Sequence, residues 1–198
     1  MRALQLGPVL GLLFTAQSVA AVSATDCTRA TLQEASAIVS SDRTHNQKLA
    51  ALSALFRKFL DTDTMGRAVL GRHWSNLTPS QQKEFLVLFR ELFERTYVKK
   101  LLLFENPRFA YVGETALEGG ESRVDTKIIT PRDEFAVVYV LRPEGQSWLA
   151  TAIMVEDVSL TANLAAQFDR MLSRMSVEDT LDLLRRKYGR GTGEEKQL

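Results

Sequence analysis

A single cysteine, Cys27, in 198 residues means that no internal disulfide holds this chain together. Histidine is almost as scarce. His45 and His73 stand alone, neither at a metal-ligand spacing from Cys, Asp or Glu, which argues against a locally encoded metal centre. The chain has no HExxH, no GxSxG and no glycine loop of the kind that cradles phosphate. Charge of one sign is missing too. The 25 basic residues, less Arg2 in the leading segment, balance 24 acidic ones. That neutrality argues against a nucleic-acid binder, which shows a basic excess, and against a polybasic membrane-surface protein. No apolar run reaches the roughly 20 residues needed to span a bilayer.

What is present begins at the amino end. Arg2 is followed by an apolar run from Leu4 to Phe14 and then by small residues from Ser18 to Ala24. This is the layout of a cleavable secretory signal, with cleavage expected after Ala20 or Ala24. Asp26 precedes Cys27 where a lipoprotein would need a small residue, so Cys27 is not an acylation site. The expected organisation is a signal over 1–24, one α+β domain over 25–188, and a Gly- and charge-rich disordered tail over 189–198. The mature chain is expected to be soluble and to work outside the cytoplasm.

The first half has helical periodicity. Helices are expected over Thr28–Ser40, over Gln47–Leu60 with apolar residues at helical spacing, and over Thr64–Leu70, stopped by Gly71. Thr78-Pro79-Ser80-Gln81 is a capping box with proline in the first turn, opening a helix expected to run to about Phe104. The second half changes period. Strands are expected at Phe109–Thr115, Ser122–Thr130, Phe135–Arg142 and Trp148–Val155, separated by Gly- and Pro-containing turns. Two helices close the chain, one around Leu160–Leu172 and one capped by Ser176 with Asp179. Helices laid against one face of a twisted four-stranded antiparallel sheet make an α+β fold.

Catalytic candidates are few. Asp125 and Glu134, on or beside strands, could be an acid/base pair in a pocket, or could face solvent on a half-exposed sheet. Arg170 with Arg174, and Arg95 with Lys99, lie at i, i+4 and could meet an anionic group or simply form a solvated face. Apolarity is in surplus. Phe85, Phe89 and Leu92 define one helix face, and Leu86, Phe93 and Tyr97 widen it beyond the stripe of about 100° that a surface helix needs. The run Ala136–Leu141 is apolar on both faces. Such a surplus is either core buried on both sides or the wall of an apolar cavity.

The sequence also resembles a known family. Leu70-Gly71-Arg72-His73-Trp74, Thr78 to Phe85, Phe89-Arg90-Glu91-Leu92 and Arg95-Thr96-Tyr97 are similar to the helical half of the MlaC / toluene-tolerance family. Val155-Glu156-Asp157-Val158-Ser159-Leu160, Asn163, Gln167-Phe168 and the Leu181/Leu184 helix resemble its closing motif. The family consists of periplasmic phospholipid-binding proteins that serve an ABC-type lipid transport system. The resemblance implies a periplasmic, non-enzymatic phospholipid carrier with an apolar lipid cavity between sheet and helices and no cofactor. Its implied partners are an inner-membrane ABC transporter complex and an outer-membrane lipoprotein complex, with no nucleic acid and no stable membrane insertion. The residues expected to meet lipid are Val69, Trp74, Phe89, Leu92, Phe93, Tyr97, Val137, Tyr139, Leu141, Ala152 and Met154. Another lipid such as a hopanoid is one alternative cargo, and a pocket enzyme using Asp125 or Glu134 is the alternative from another class. Five positions depart from the family pattern. Asp157 stands for a glycine, Thr151-Ala152 stand for Tyr-Asp, and Val138 and Val140 stand where polar residues are common.

Overall fold

The computed structural model describes residues 22–104 and 106–189. Most of the expected signal and nearly all of the expected tail lie outside the described residues. Val22, Ser23 and Ala24, however, belong to the fold. Ser23 caps helix α1 (Ala24–Ser40), its hydroxyl accepting from the Asp26 amide at 3.0 Å, and Ala24 is fully buried. The α1 helix thus starts four residues before the expected Thr28.

Helix α2 (His45–Phe59) opens on a second capping box, between Thr44 and Gln47, and α3 (Thr62–Leu70) is capped by Asp61. Gly71, at φ 47°, ends α3 and leads into a 3₁₀ segment, Gly71–Asn76. Gly66 lets α3 come close to α4 (Pro79–Phe93). A Cβ at this position would lie 2.9 Å from Leu86 Cδ2 and 3.1 Å from Phe89 Cδ1. The capping box at Thr78 and Gln81 forms as the sequence indicates.

The long helix expected to reach Phe104 does not remain an α-helix. After Phe93 it widens into a π turn, Glu94–Val98, and then tightens into a 3₁₀ segment, Lys99–Leu103. The apolar pattern continues through the change, which is why periodicity alone runs across it.

Five strands form one antiparallel meander in chain order: β1 (Arg108–Ala116), β2 (Ser122–Ile129), β3 (Glu134–Glu144), β4 (Ser147–Val155) and β5 (Val158–Ser159). Four of these were expected. The fifth is two residues long, pairing Val155 with Val158 across a turn in which Glu156 and Asp157 have φ of 49° and 61°. Two successive positive φ values suit a tight hairpin, and aspartate tolerates this backbone better than most residues. Glu156 is held by β3, its amide donating to the Ala136 carbonyl and its carboxylate accepting from the Ala136 amide. The ladder slips at two places. In β1, Val112 is skipped between the Tyr111–Thr126 and Gly113–Asp125 pairs. In β4, Thr151 is skipped between the Val140–Ala152 and Leu141–Ala150 pairs.

Helices α5 (Leu160–Leu172) and α6 (Val177–Tyr188) complete the chain. The sheet's inner face packs against helices, and its other face carries charge. On β2, Ser122, Val124, Thr126 and Ile128 are buried while Arg123, Asp125, Lys127 and Ile129 are not. The junction of α2 and α3 is fastened to β4, where Leu60 bridges to Ala150 and the Asp61 amide donates to the Ala150 carbonyl at 2.9 Å. That contact sets α2 over the inner face.

Candidate functional site

Between the inner face and the helices lies a cavity of about 320 Å³. From the sheet, Phe109, Ile128, Phe135, Val137, Tyr139, Ile153 and Val155 line it. From the helical side come Leu32 and Ala35 of α1, Phe56 and Leu60 at the end of α2, Phe93 of α4 and Leu160 of α5. The π and 3₁₀ segments contribute Tyr97, Val98, Lys100 and Leu101, with Phe104 just beyond.

An aromatic row leads to this space. Phe168, Phe85, Phe89, Phe93 and Tyr97 follow one another with ring centroids 5.3, 5.9, 6.0 and 4.8 Å apart. The inner rings of the row are core, and Phe93 and Tyr97 reach the cavity. Phe59 meets Tyr139 edge to face at 5.7 Å. Phe104 meets Phe135 at 5.8 Å, joining the end of the helical run to the sheet.

The electrostatics are sparse. Lys100 is the one charged residue among those described in the lining, its ammonium 6.0 Å from the centre of the Tyr97 ring. Burial pushes the Tyr139 phenol far above its ordinary range, with the nearby Tyr111 adding to the shift. Burial also raises the Tyr97 phenol. Both stay neutral, so neither serves as a base at ordinary pH. The described lining includes no carboxylate, histidine, cysteine, serine or threonine. Its chemistry is that of apolar burial.

Of the residues expected to meet lipid, Phe93, Tyr97, Val137 and Tyr139 line the cavity. Val69, Phe89, Leu92 and Leu141 are packed in the core instead. Trp74 sits in the 3₁₀ segment after α3 beneath the Arg67 guanidinium, 5.6 Å from the ring. Ala152 and Met154 pair with Val140 and Val138, and so share their outward face. Cross-strand partners lie on one side of a sheet, so Val137 and Tyr139 bring Val155 and Ile153 to the cavity, not their neighbours. The α1 contribution and Phe104 were missed. Nothing in a short apolar stripe distinguishes a residue facing a void from one facing a neighbour.

The catalytic candidates lie elsewhere. Asp125 is paired with Arg123 at 2.8 Å on the outer face, and Glu134 with Lys127 at 2.6 Å. His73 meets Asp169 at 2.8 Å, where Arg72 also donates at 2.7 Å. Among the described residues no group of three His, Cys, Asp or Glu could hold a metal, and no helix is long and apolar enough to cross a membrane.

Comparison with known proteins agrees with this geometry. No curated protein matches the chain. Among solved structures, a phospholipid-binding protein from Ralstonia solanacearum, determined in complex with a phospholipid, superposes with a TM-score of 0.73 at 21% identity. The match covers 83% of this chain and 96% of that one, and at this identity the likeness is one of fold. The family model described as MlaC protein matches residues 25–186, and the chain therefore belongs to the MlaC protein family.

Proposed function

We propose that the chain is an exported, soluble carrier that binds phospholipid and moves it through the periplasm between outer-membrane and inner-membrane components of an ABC-type transport system. The observation that carries this reading is the wall of the cavity. One face of the sheet and the helices above it turn apolar side chains into a common space, with Lys100 the one charged residue described there. At about 320 Å³ the space falls at the lower end of the range for small-molecule sites. Each methylene withdrawn from water contributes roughly 0.8 kcal/mol. A membrane offers an acyl chain about the same, so the carrier exchanges lipid with a bilayer without trapping it.

Two further observations support the reading. The chain is a member of the MlaC family, and the Ralstonia protein of the same fold was solved with a phospholipid. No covalent step is required of a carrier, and the energy for net transport would come from a partner ATPase. The alternative of an enzyme using Asp125 or Glu134 loses its site, because both carboxylates are engaged in ion pairs on the outer face of the sheet.

Solvent extraction and mass spectrometry of the protein purified from an exporting host tests the proposal directly. A diacyl phospholipid is expected in near-stoichiometric amount, and a hopanoid in its place would support the alternative cargo. Delipidation should lower the thermal midpoint, since a ligand bound only by the folded state stabilises it by mass action. A lipid-free protein whose midpoint does not respond to added phospholipid would sink the carrier reading.

A further inference from the structure

A diacyl lipid has a head that the apolar cavity cannot hold, so the cavity must adjoin a polar surface. Phe104 marks one such place. Phe104, which helps line the cavity, also lines an open recess formed with Val39, Ser40, Arg43, His45, Lys48 and Asn106. The recess joins the end of α1 to the start of α2. Its fixed charges are both positive, and no carboxylate lines it among the described residues.

The two cations are presented differently. The Lys48 ammonium donates to the Val39 carbonyl at 2.7 Å, which holds it at the recess wall with further N–H donors to offer. Arg43 is exposed, and among the described residues no hydrogen-bond or ion-pair partner takes up its five donors. A planar guanidinium matches two oxygens of a phosphodiester, and an ammonium adds a compact point charge.

We infer that the recess beside Phe104 receives the phosphate of the bound lipid, with Arg43 and Lys48 as its contacts, and that it favours a net-anionic head over a zwitterionic one. This rests on the carrier reading above. The preference follows from the sign of the lining. A zwitterionic head brings a quaternary or primary ammonium toward two cations with no described carboxylate to meet it, whereas a glycerol head brings none.

A competition experiment on the delipidated, exported protein tests the assignment. It is mixed with vesicles holding equal amounts of dioleoyl phosphatidylglycerol, dioleoyl phosphatidylcholine and dioleoylglycerol, and the bound lipids are counted by mass spectrometry. The parent is expected to take phosphatidylglycerol over either competitor by about tenfold, the scale of one charge-assisted contact. Arg43→Glu, alone and with Lys48→Gln, should abolish that preference, bringing the phosphatidylglycerol share down to that of its competitors. Arg43 is exposed, so the single variant keeps the assignment testable if loss of the Lys48 contact disturbs folding. Unchanged lipid ratios in Arg43→Glu would overturn the assignment. So would inorganic phosphate raising the lipid-free midpoint through Arg43 while displacing no lipid, since the recess would then be a free-anion site. Failure of the parent to take up any of the three lipids would overturn the carrier reading and this inference with it.

Discussion

Arg57 donates to both carboxylate oxygens of Glu94, from Nε at 2.6 Å and from Nη2 at 2.9 Å, and so ties the last turn of α2 to the first residue of the π turn. Glu94 is one of the few buried charged residues, its side chain 10% exposed. Because the turn supplies Tyr97 and Val98 to the cavity and leads into the 3₁₀ segment that supplies Lys100, this fork fixes where the helical side of the site stands.

Replacing Arg57 with Met should therefore cost stability and loosen the site together. The loss is expected at about 1–2 kcal/mol, discounted because the guanidinium is 41% exposed. Glu94→Gln should cost less, since an amide can still accept from the arginine. Urea unfolding of the three lipid-free proteins measures this, and an unmoved midpoint in Arg57→Met would mean that the fork does not hold the turn.

Cavity and core part company at two inward-facing positions on neighbouring strands. Ile153 lines the cavity, whereas Leu141 is fully buried away from it. Ile153→Trp should put its bulk into the void, reducing bound lipid while leaving the lipid-free protein about as stable as the parent. Leu141→Trp should overpack and destabilise by about 1–3 kcal/mol whether lipid is present or not. Lipid counts set beside lipid-free unfolding curves distinguish the two. An Ile153→Trp protein that keeps its full lipid complement would place the chains elsewhere.

Asp61 gives the fold an acid-sensitive joint. Burial disfavours its charge, but hydrogen bonds from the Thr64 amide and hydroxyl and from Arg142 outweigh that and hold its carboxyl below the usual 3.8. Arg142 Nε lies 2.8 Å from Oδ2, and the same carboxylate caps α3. A pKa lowered by folding stabilises above the ordinary aspartate range, and the contribution is lost as pH falls through the folded value. Asp61→Asn retains a capping oxygen and loses the charge. It should be about 1–2 kcal/mol less stable than the parent at neutral pH, and the gap should close as pH drops below 3.8. Thermal midpoints across an acid series would show this, and a gap independent of pH would assign the loss to packing.

Processing of the amino end is expected upstream of Val22. The Trp148 indole donates to the Val22 carbonyl at 2.8 Å, Ser23 caps α1, and Ala24 is fully buried. Cleavage after Ala20 keeps all three, whereas cleavage after Ala24 would remove them and cost about 1 kcal/mol for the cap alone. The intact mass of the exported protein decides, and an amino terminus at Thr25 would contradict the expectation.

Much of the fold was legible because it rests on local signals. The Thr78 cap, the Gly71 stop and the four longer strands each carry their own residues for the purpose. The cavity was harder to see because its boundaries depend on hydrogen-bond register. The skipped Thr151 changes which β4 residues face inward, and no alternation pattern reveals a one-residue slip. The π turn at Glu94 similarly redirects Tyr97 and Leu101 without disturbing the run of apolar residues. Ala152 and Met154 share the outward face with their partners Val140 and Val138. Phe104 was left out because its role needs two surfaces that only the folded chain brings together.

The slip at Val112 bears on how the free edge of the sheet meets other chains. An open meander leaves a row of unpaired amides and carbonyls along its first strand, and such a row invites another chain to add itself. Val112, 63% exposed, interrupts the regular spacing of that row midway along β1. At the opposite end, β5 offers only two residues. The interruption at Val112 and the shortness of β5 both blunt the sheet against addition of a further strand at its ends.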